Sequence, residues 1–465
     1  MSKPAYEVAI VGSGLAGIAA ACKLAEYGVK VVVMDENIHI GGQFLRRCPT
    51  TRKASFTDVM DLMRKKGFKL ITLAKEKNVA IMNRTKVLAI SDQNELLVED
   101  NEKKISTIRP QIILLATGAR ERFLPFKGWT LPGVFSTGAI QSLVKSFGVL
   151  PSREIFVGGS GPFLFTVAWE LLQQRGRVMS IIEQKHLMDS LPPSGLLFFN
   201  ASRFLQSACQ IARIVFARVP VRYATKIVEA RGRYRLEQVV TSKVDRLGRA
   251  VPGTEKIYSS EALAVGHGFT PNIELAQVAG CEIESDTTKG GWVVRVDQTL
   301  ETSVENVFAA GEITGIGGAP KSLNEGNIAA LSILRRLGKE VEKSVFSRHQ
   351  KKRERLLCFA RYFNSLHMSS DEIIKAIPDE TLICRCENVT IKEINMAIQQ
   401  GHNTLGALRK ALRIGMGNCQ GRICTPIVRD LIHIHAKATK EEDNEILPAS
   451  TRIPVKPLAI KSLLD

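Results

Sequence analysis

The stretch that most limits what this chain can fold into lies near its start. Tyr6-Glu7-Val8-Ala9-Ile10-Val11 has the apolar content of a buried parallel strand, and it runs directly into Gly12-Ser13-Gly14-Leu15-Ala16-Gly17. An Ala-rich helical pattern follows as far as Tyr27, Gly28 stops it, and Val29 to Met34 form the next strand, ending at Asp35-Glu36. The glycine spacing has mechanical reasons: Gly12 for a tight turn, Gly14 for close backbone approach to a pyrophosphate, Gly17 for close helix–strand contact. The helix N-terminus presents unpaired N–H groups and a positive dipole end to phosphate. An acid about 20 residues on, Asp35 or Glu36, suits a ribose hydroxyl. A glycine-rich turn without a ligand does not account for strand, turn, helix, strand and acid arriving in that order.

Two further segments extend this nucleotide site. Gly41-Gly42-Gln43 follows the acid, as expected where a second glycine pair approaches the adenosine side of FAD. Leu114-Leu115-Ala116-Thr117-Gly118-Ala119 and Val307-Phe308-Ala309-Ala310-Gly311-Glu312 match the other strand ends of two-dinucleotide-domain flavoproteins, the last placing Glu312 at a ribityl chain or pyrophosphate. FAD is the expected occupant, with another adenine nucleotide as the alternative.

A second unit of the same kind begins at Arg153. A strand to Gly158 enters Gly159-Ser160-Gly161-Pro162-Phe163-Leu164, a helix reaches about Gln174, and a strand ends at Glu183. Glu183 favours an unphosphorylated ribose, hence NAD rather than NADP. Leu164 replaces the third small residue and is expected to push helix from strand and crowd the phosphate site, with Pro162 stiffening the loop. The fold is expected here and hydride transfer from NAD(P)H is not. No Cys-x-x-Cys lies in this unit, so disulfide-reductase chemistry has no dithiol. His267, in Gly266-His267-Gly268, is the one side chain near the flavin position that invites a role, and a structural histidine is the preferred reading.

The chain has nine cysteines. Cys22, Cys209, Cys281 and Cys358 have apolar neighbours and read as core residues, and Cys48 stands alone as a structural one. Cys384-Arg385-Cys386 and, some thirty residues on, Cys419-Gln420-Gly421-Arg422-Ile423-Cys424 form a different set. Four soft thiolates match a [2Fe–2S] cluster. Structural zinc is the alternative, but the one-residue spacing of Cys384 and Cys386 fits it poorly. Thr390 and Glu393 form a capping box, Gly415, Gly417 and Gly421 make pliant loops, and Pro426 suits the first turn of a helix. That helix would favour Cys424 as thiolate.

At 465 residues, 45% apolar and 24% charged, the chain has the make-up of a multidomain globular protein. Its net charge of +18 comes from scattered Lys and Arg with no nucleic-acid signature, so no nucleic-acid partner is expected. The run Arg348 to Arg355 reads as a solvated helix face. No apolar run approaches the roughly 20 residues that span a bilayer, and no signal-peptide pattern precedes the first strand. A cytoplasmic location is expected, with peripheral attachment at the inner face of the membrane as a variant of it. The fold class is α/β: two Rossmann-like FAD/NAD(P)-binding domains plus a small helical [2Fe–2S] domain. The first dinucleotide domain occupies 1–135 and 265–340, the second 136–264, a basic linker 341–378, the cluster domain 379–436, and an extended tail 437–465, read as wrapping a partner.

Together with Gly118–Arg122, Pro125–Val134, Gly138–Gln141 and Gly311–Ala319, these motifs resemble the alpha subunits of heteromeric amine-oxidising enzymes: sarcosine oxidase, opine oxidases, hydrogen cyanide synthase and dye-linked proline or hydroxyproline dehydrogenases. Residues 379–436 resemble the bacterioferritin-associated ferredoxin-like domain. The resemblance implies a beta subunit of D-amino-acid-oxidase-like fold that oxidises the amine, a small third subunit in some assemblies, and FMN at a subunit interface in some. It also implies FAD, NAD or ATP in the first fold, and a quinone, dye or carrier protein as final acceptor. A self-sufficient NADH-dependent reductase and a redox-silent nucleotide-binding scaffold are the rival readings.

Overall fold

A computed structural model describes residues 5–46, 59–190, 209, 211–367, 370–439 and 446–463; Cys48 lies outside them. The first sheet runs Val307–Ala309, Ile112–Leu115, Val8–Val11, Val31–Asp35, Ala80–Asn83, all parallel. Its central strand is apolar on both faces because both are covered. The fingerprint helix (Leu15–Glu26) and the return helix (Gly318–Arg336) pack together over one face. That close approach depends on glycine: a Cβ on Gly326 would lie 2.2 Å from the carbonyl oxygen of Ala16.

The second sheet repeats the plan with Val221–Arg222, Arg177–Glu183, Glu154–Gly159, Leu263–Gly266 and Val134–Ser136, again parallel. Its edge strand straddles residue 135, where the first domain was expected to hand over. The helix Phe163–Gln173 covers this sheet, and Leu164 is 1% exposed within its core. The expected crowding of the loop by Leu164 is therefore not what happens: the side chain turns inward and fills space between helix and sheet.

A long linker helix (Lys343–His367) connects both folds to the C-terminal domain. Its basic run is solvated except for Arg353, which reaches the buried Glu325 at 2.8 Å. In the C-terminal domain a short hairpin, Leu382–Cys384 with Val389–Thr390, leads into helices Ile391–Gln399, Leu405–Leu412 and Thr425–Thr439. The Thr390–Glu393 capping box forms as the sequence predicts, a device that stabilises a helix start by about 1 kcal/mol. The tail is extended, but it straps its own chain. Trp292 donates to the Ile446 carbonyl, Arg422 to that of Val455, and the Val455 amide to that of Leu88. Of the four cysteines read as core residues, Cys22 and Cys281 are buried, Cys209 is half-buried and Cys358 is exposed. Cys358 lies on the amphipathic linker helix, whose outward face its apolar neighbours did not reveal.

Candidate functional site: two glycine loops and four cysteines

The first glycine loop is shaped for a phosphate. Gly12 has φ +105°, and a Cβ there would meet the Ala116 carbonyl oxygen at 2.3 Å. A Cβ on Gly17 would lie 2.0 Å from the Gly12 carbonyl oxygen, so helix and strand touch through it. Gly14 faces open space, and no side chain caps the helix it precedes. Gly42 closes over it, within 2.9 Å of the Gly14 Cα for an added Cβ. Gln43 is exposed beside this turn. These residues fit the ADP half of FAD: an open backbone face, an uncapped helix end and a second glycine pair over them.

The acids are used differently from the simplest expectation. Asp35 accepts from the Ser13 amide (2.7 Å) and hydroxyl (2.5 Å) through one oxygen, and from the Asn37 amide and side chain through the other. Those four bonds fill a carboxylate's capacity, so Asp35 holds the loop together. Glu36 is the exposed acid of the pair, bridged to Lys456 of the tail at 2.9 Å. Arg46, which belongs to no sequence motif, donates to Asn37 and to Ser142 of the second fold, closing the loop's far side. Glu312 turns onto the N-terminus of the return helix, accepting from the Gly318 amide at 2.8 Å and the Ser322 hydroxyl at 3.1 Å. Burial pushes its carboxyl above the usual range. Behind it, Lys321 and Glu325 form a fully buried ion pair at 2.9 Å, with Lys321 also donating to the Gly311 and Gly315 carbonyls. At the neighbouring strand end, the Ala116–Gly118 turn is pinned to Asn272. The Thr117 hydroxyl donates to the Asn272 carbonyl, and the Asn272 amide donates to Gly118.

The second glycine loop shares the positive φ of its first glycine but not of its second, since Gly14 has φ −63°. Gly159 has φ +133° and sits against the Gly266 carbonyl oxygen; Gly161 has φ +112°. Glu183 accepts from the Gly161 and Lys185 amides, both at 3.0 Å, and burial raises its carboxyl. This loop is covered, however. His367, at the end of the linker helix, places its Nδ1 3.0 Å from the Ser160 hydroxyl, and its ring lies 3.6 Å from where a Gly161 Cβ would be. Burial, reinforced by Lys185, lowers its pKa to about 4, so the ring is neutral at pH 7.

The four cysteines come together as two pairs. Cys386 and Cys419 have sulfurs 4.0 Å apart, and Cys384 hydrogen-bonds Cys424. Among the described residues no three ligand-type side chains converge on one point. Four thiolates, two for each of two irons, are the ligand set of a [2Fe–2S] cluster. Gly417 permits the approach, since a Cβ there would lie 2.1 Å from the Cys386 Cβ. The inner pair is coupled through that hydrogen bond, with Cys384 the acceptor and Cys424 the donor. The Cys424 thiol, then burial, then amides of Gly415, Glu387 and Cys386 act on Cys384, and together they bring it down to about 5. Cys424 is pushed up by donating that bond and by burial. Cys384 and Cys424 are buried, whereas Cys386 is exposed and Cys419 half-exposed, so the inner pair faces the protein and the outer pair the surface.

The cluster domain is fixed to the first fold through side chains whose partners lie far along the chain. Arg120 pairs with Glu274 at 2.6 Å and donates to the Arg422 carbonyl, inside the Cys419–Cys424 loop. Arg122 pairs with Asp430, and the Trp129 indole donates to the Leu382 carbonyl at 2.7 Å. Arg385, between two of the cysteines, lies over the Trp129 ring at 5.5 Å.

Comparison with known proteins agrees with this architecture. Residues 6–326 match the pyridine nucleotide-disulphide oxidoreductase family, and residues 382–434 match the BFD-like [2Fe-2S] binding domain. The HcnB subunit of hydrogen cyanide synthase from Pseudomonas aeruginosa is 30% identical over 97% of this chain and 96% of its own. An opine oxidase subunit from Agrobacterium tumefaciens is 27% identical over 98% of this chain and 91% of its own. Among solved structures, L-proline dehydrogenase from P. horikoshii superposes with a TM-score of 0.71 at 19% identity, covering 98% of this chain and 79% of that one. Thioredoxin reductase of T. acidophilum, at a TM-score of 0.53 and 18% identity, covers 72% of this chain and 100% of its own.

Proposed function

We infer the function from one premise: the chain belongs to the pyridine nucleotide-disulphide oxidoreductase family and carries a BFD-like [2Fe-2S] binding domain, which makes it a flavin-dependent oxidoreductase with FAD and [2Fe–2S] as its cofactors. We propose that it is the electron-transfer subunit of a heteromeric amino-acid or amine dehydrogenase. A partner subunit, of D-amino-acid-oxidase-like fold, oxidises the C–N bond on its own flavin, and the acceptor is a quinone, dye or carrier protein. The relatives named as subunits of hydrogen cyanide synthase, opine oxidase and sarcosine oxidase support this reading.

The observation that carries it is the placement of the cysteines: one pair buried in the core shared with the first nucleotide fold, the other at the surface. Bound FAD would supply a two-electron acceptor able to release single electrons, and the cluster a one-electron relay. The chain's own residues do the positioning. Gly12, Ser13 and Gly14 cradle a pyrophosphate, with Gly17 packing the helix behind them and Gly42 above, and Glu36, the exposed acid paired with Lys456, is the one within reach of a ribose. Cys384, Cys386, Cys419 and Cys424 would hold the two irons. Arg120, Glu274 and Arg122 lock the cluster loop to the first fold, and Trp129 fills the space beneath the cysteine hairpin.

The self-sufficient NADH-dependent alternative needs an open second loop, and His367 stands over it. We place the protein in the cytoplasm, where thiolate ligands stay reduced; among the described residues no helix is long and apolar enough to cross a membrane. The test is anaerobic purification, alone and with the partner, followed by metal analysis and visible spectroscopy. About two irons per chain with flavin bands, and amino-acid-driven bleaching only when the partner is present, is the expected result. Zinc in place of iron, or a colourless protein, defeats the proposal.

A further inference from the structure

Between the second fold and the cysteine hairpin lies a cavity of about 240 Å³ that the electron path described above does not use. Phe123, Trp129 and Phe135 give it aromatic walls, and Arg122, Arg385 and His267 supply its polar groups. Its charge is one-sided. Arg122 is paired with Asp430, yet its buried Nε has no hydrogen-bond partner. Arg385 lies over Trp129 at the solvent-exposed mouth of the cavity and has no carboxylate partner among the described residues. His267 makes no hydrogen bond among the described residues either, although Arg122 and Lys226 both act on it electrostatically. Three polar side chains at a cavity, each with unused donor capacity and with no acid among the described lining residues, form a site that selects an anion. Aromatic walls select a flat, apolar body for that anion.

We propose that this cavity binds a small planar aromatic carboxylate of one or two rings. A dry cavity of about 150 Å³ holds one benzene ring, so the observed volume suits a ring system of about naphthalene size with a carboxylate on Arg385 and Arg122. The ligand would lie against Arg385, the residue between Cys384 and Cys386, which places a small-molecule site beside the cluster ligands. The site lies on this chain alone and is independent of which amine the partner oxidises.

The experiment is isothermal titration of the intact cluster-loaded chain with 2-naphthoate and with its uncharged twin 2-naphthamide. Naphthoate is expected to bind once per chain, and the amide at least about tenfold more weakly, a difference of about 1.4 kcal/mol. Arg385→Gln should cost naphthoate about tenfold and leave the amide unchanged. Because Arg385 adjoins two cysteines, Ala139→Leu, on the second-fold lining of the same cavity, is the second variant. It should abolish naphthoate binding while the cluster's visible spectrum stays as in the parent. No naphthoate binding by the parent chain, equal affinity for acid and amide, or naphthoate affinity untouched by Ala139→Leu would each overturn the proposal.

Discussion

In the first fold the turn after Val11 leaves Gly14 facing open space, and its helix begins without a side-chain cap. In the second the turn at Gly159 also begins with a positive-φ glycine, but Gly161 takes φ +112° where Gly14 takes −63°, and the ring of His367 occupies the ground in front of it. Both acids, Asp35 and Glu183, fold back on their own loops and rigidify them. The linker helix treats the two folds differently: Arg353 ties to the buried Glu325 behind the first, while His367 caps the second. One fingerprint thus stands open and the other stands behind a histidine ring, and the glycine spacing alone does not separate the two cases.

The largest effect expected from this comparison falls on the third small residue of each loop. Gly17→Ala puts a methyl 2.0 Å from a backbone carbonyl oxygen that cannot move without the strand, so flavin content of the purified protein should fall to background. Leu164→Ala removes a core side chain from the second fold. It should cost about 3 kcal/mol of stability in urea and leave flavin content per folded chain unchanged. Equal flavin loss in the two variants would show that the second loop, too, holds part of the cofactor.

What the sequence disclosed and what it withheld divide along chain separation. Gly12, Gly14 and Gly17 were legible because a tight turn and a close helix contact impose their demands within six neighbouring positions. The four cysteines were legible because thiolate ligation leaves a spacing pattern, and the capping box because it spans one turn. His367 was not: it meets Ser160 across 207 positions, and nothing in Ser365-Leu366-His367 marks a partner. Arg120 and Arg422, joined across 302 positions, were equally silent. Leu164 was misread for a related reason. Its identity was plain, but whether a bulky residue crowds a loop or fills a core depends on packing that only the fold supplies. Asp35 shows the same limit at short range, since the acid was recognised while its four hydrogen-bond partners were not.

A medium effect should separate the loops by pH. His367 titrates near 4 in the folded chain, below its ordinary value of 6.5, so the folded state binds fewer protons than the unfolded. Stability tied to this ring is therefore complete above about pH 6.5 and is lost as pH falls toward 4. Lowering the pH from 7 to 5 should cost the parent chain about 2 kcal/mol through this residue. His267, lowered to about 3 by burial, then Arg122 and Lys226, adds a loss of the same sign. His367→Gln keeps a polar group at Ser160 but does not titrate, so its urea midpoint should drop less between pH 7 and pH 5. The same variant also tests the covering role: if His367→Gln or His367→Ala gains measurable NADH affinity that the parent lacks, the ring is what closes the loop. Identical NADH binding in parent and variant would dissolve the contrast between the folds.

The smallest effect concerns the two loop serines, which hold equivalent places. The Ser13 hydroxyl donates to the buried Asp35 carboxylate at 2.5 Å and accepts the Gly41 amide at 3.2 Å. Ser160 meets the neutral His367 ring at 3.0 Å and acts on Glu183. A hydrogen bond to a buried charge contributes about 1.5–3 kcal/mol and one between neutral groups about 1. Ser13→Ala should therefore lower stability by about 2 kcal/mol and weaken flavin retention, because Gly41, which leads into the second glycine pair, loses its anchor. Ser160→Ala should cost only about 1 kcal/mol and leave the flavin bands unchanged. Chemical unfolding of both variants, with flavin absorbance read in the same samples, gives the answer. If Ser160→Ala released flavin as readily as Ser13→Ala, the second loop would be part of the cofactor site, and His367 would be a contact within that site instead of a cover over a disused one.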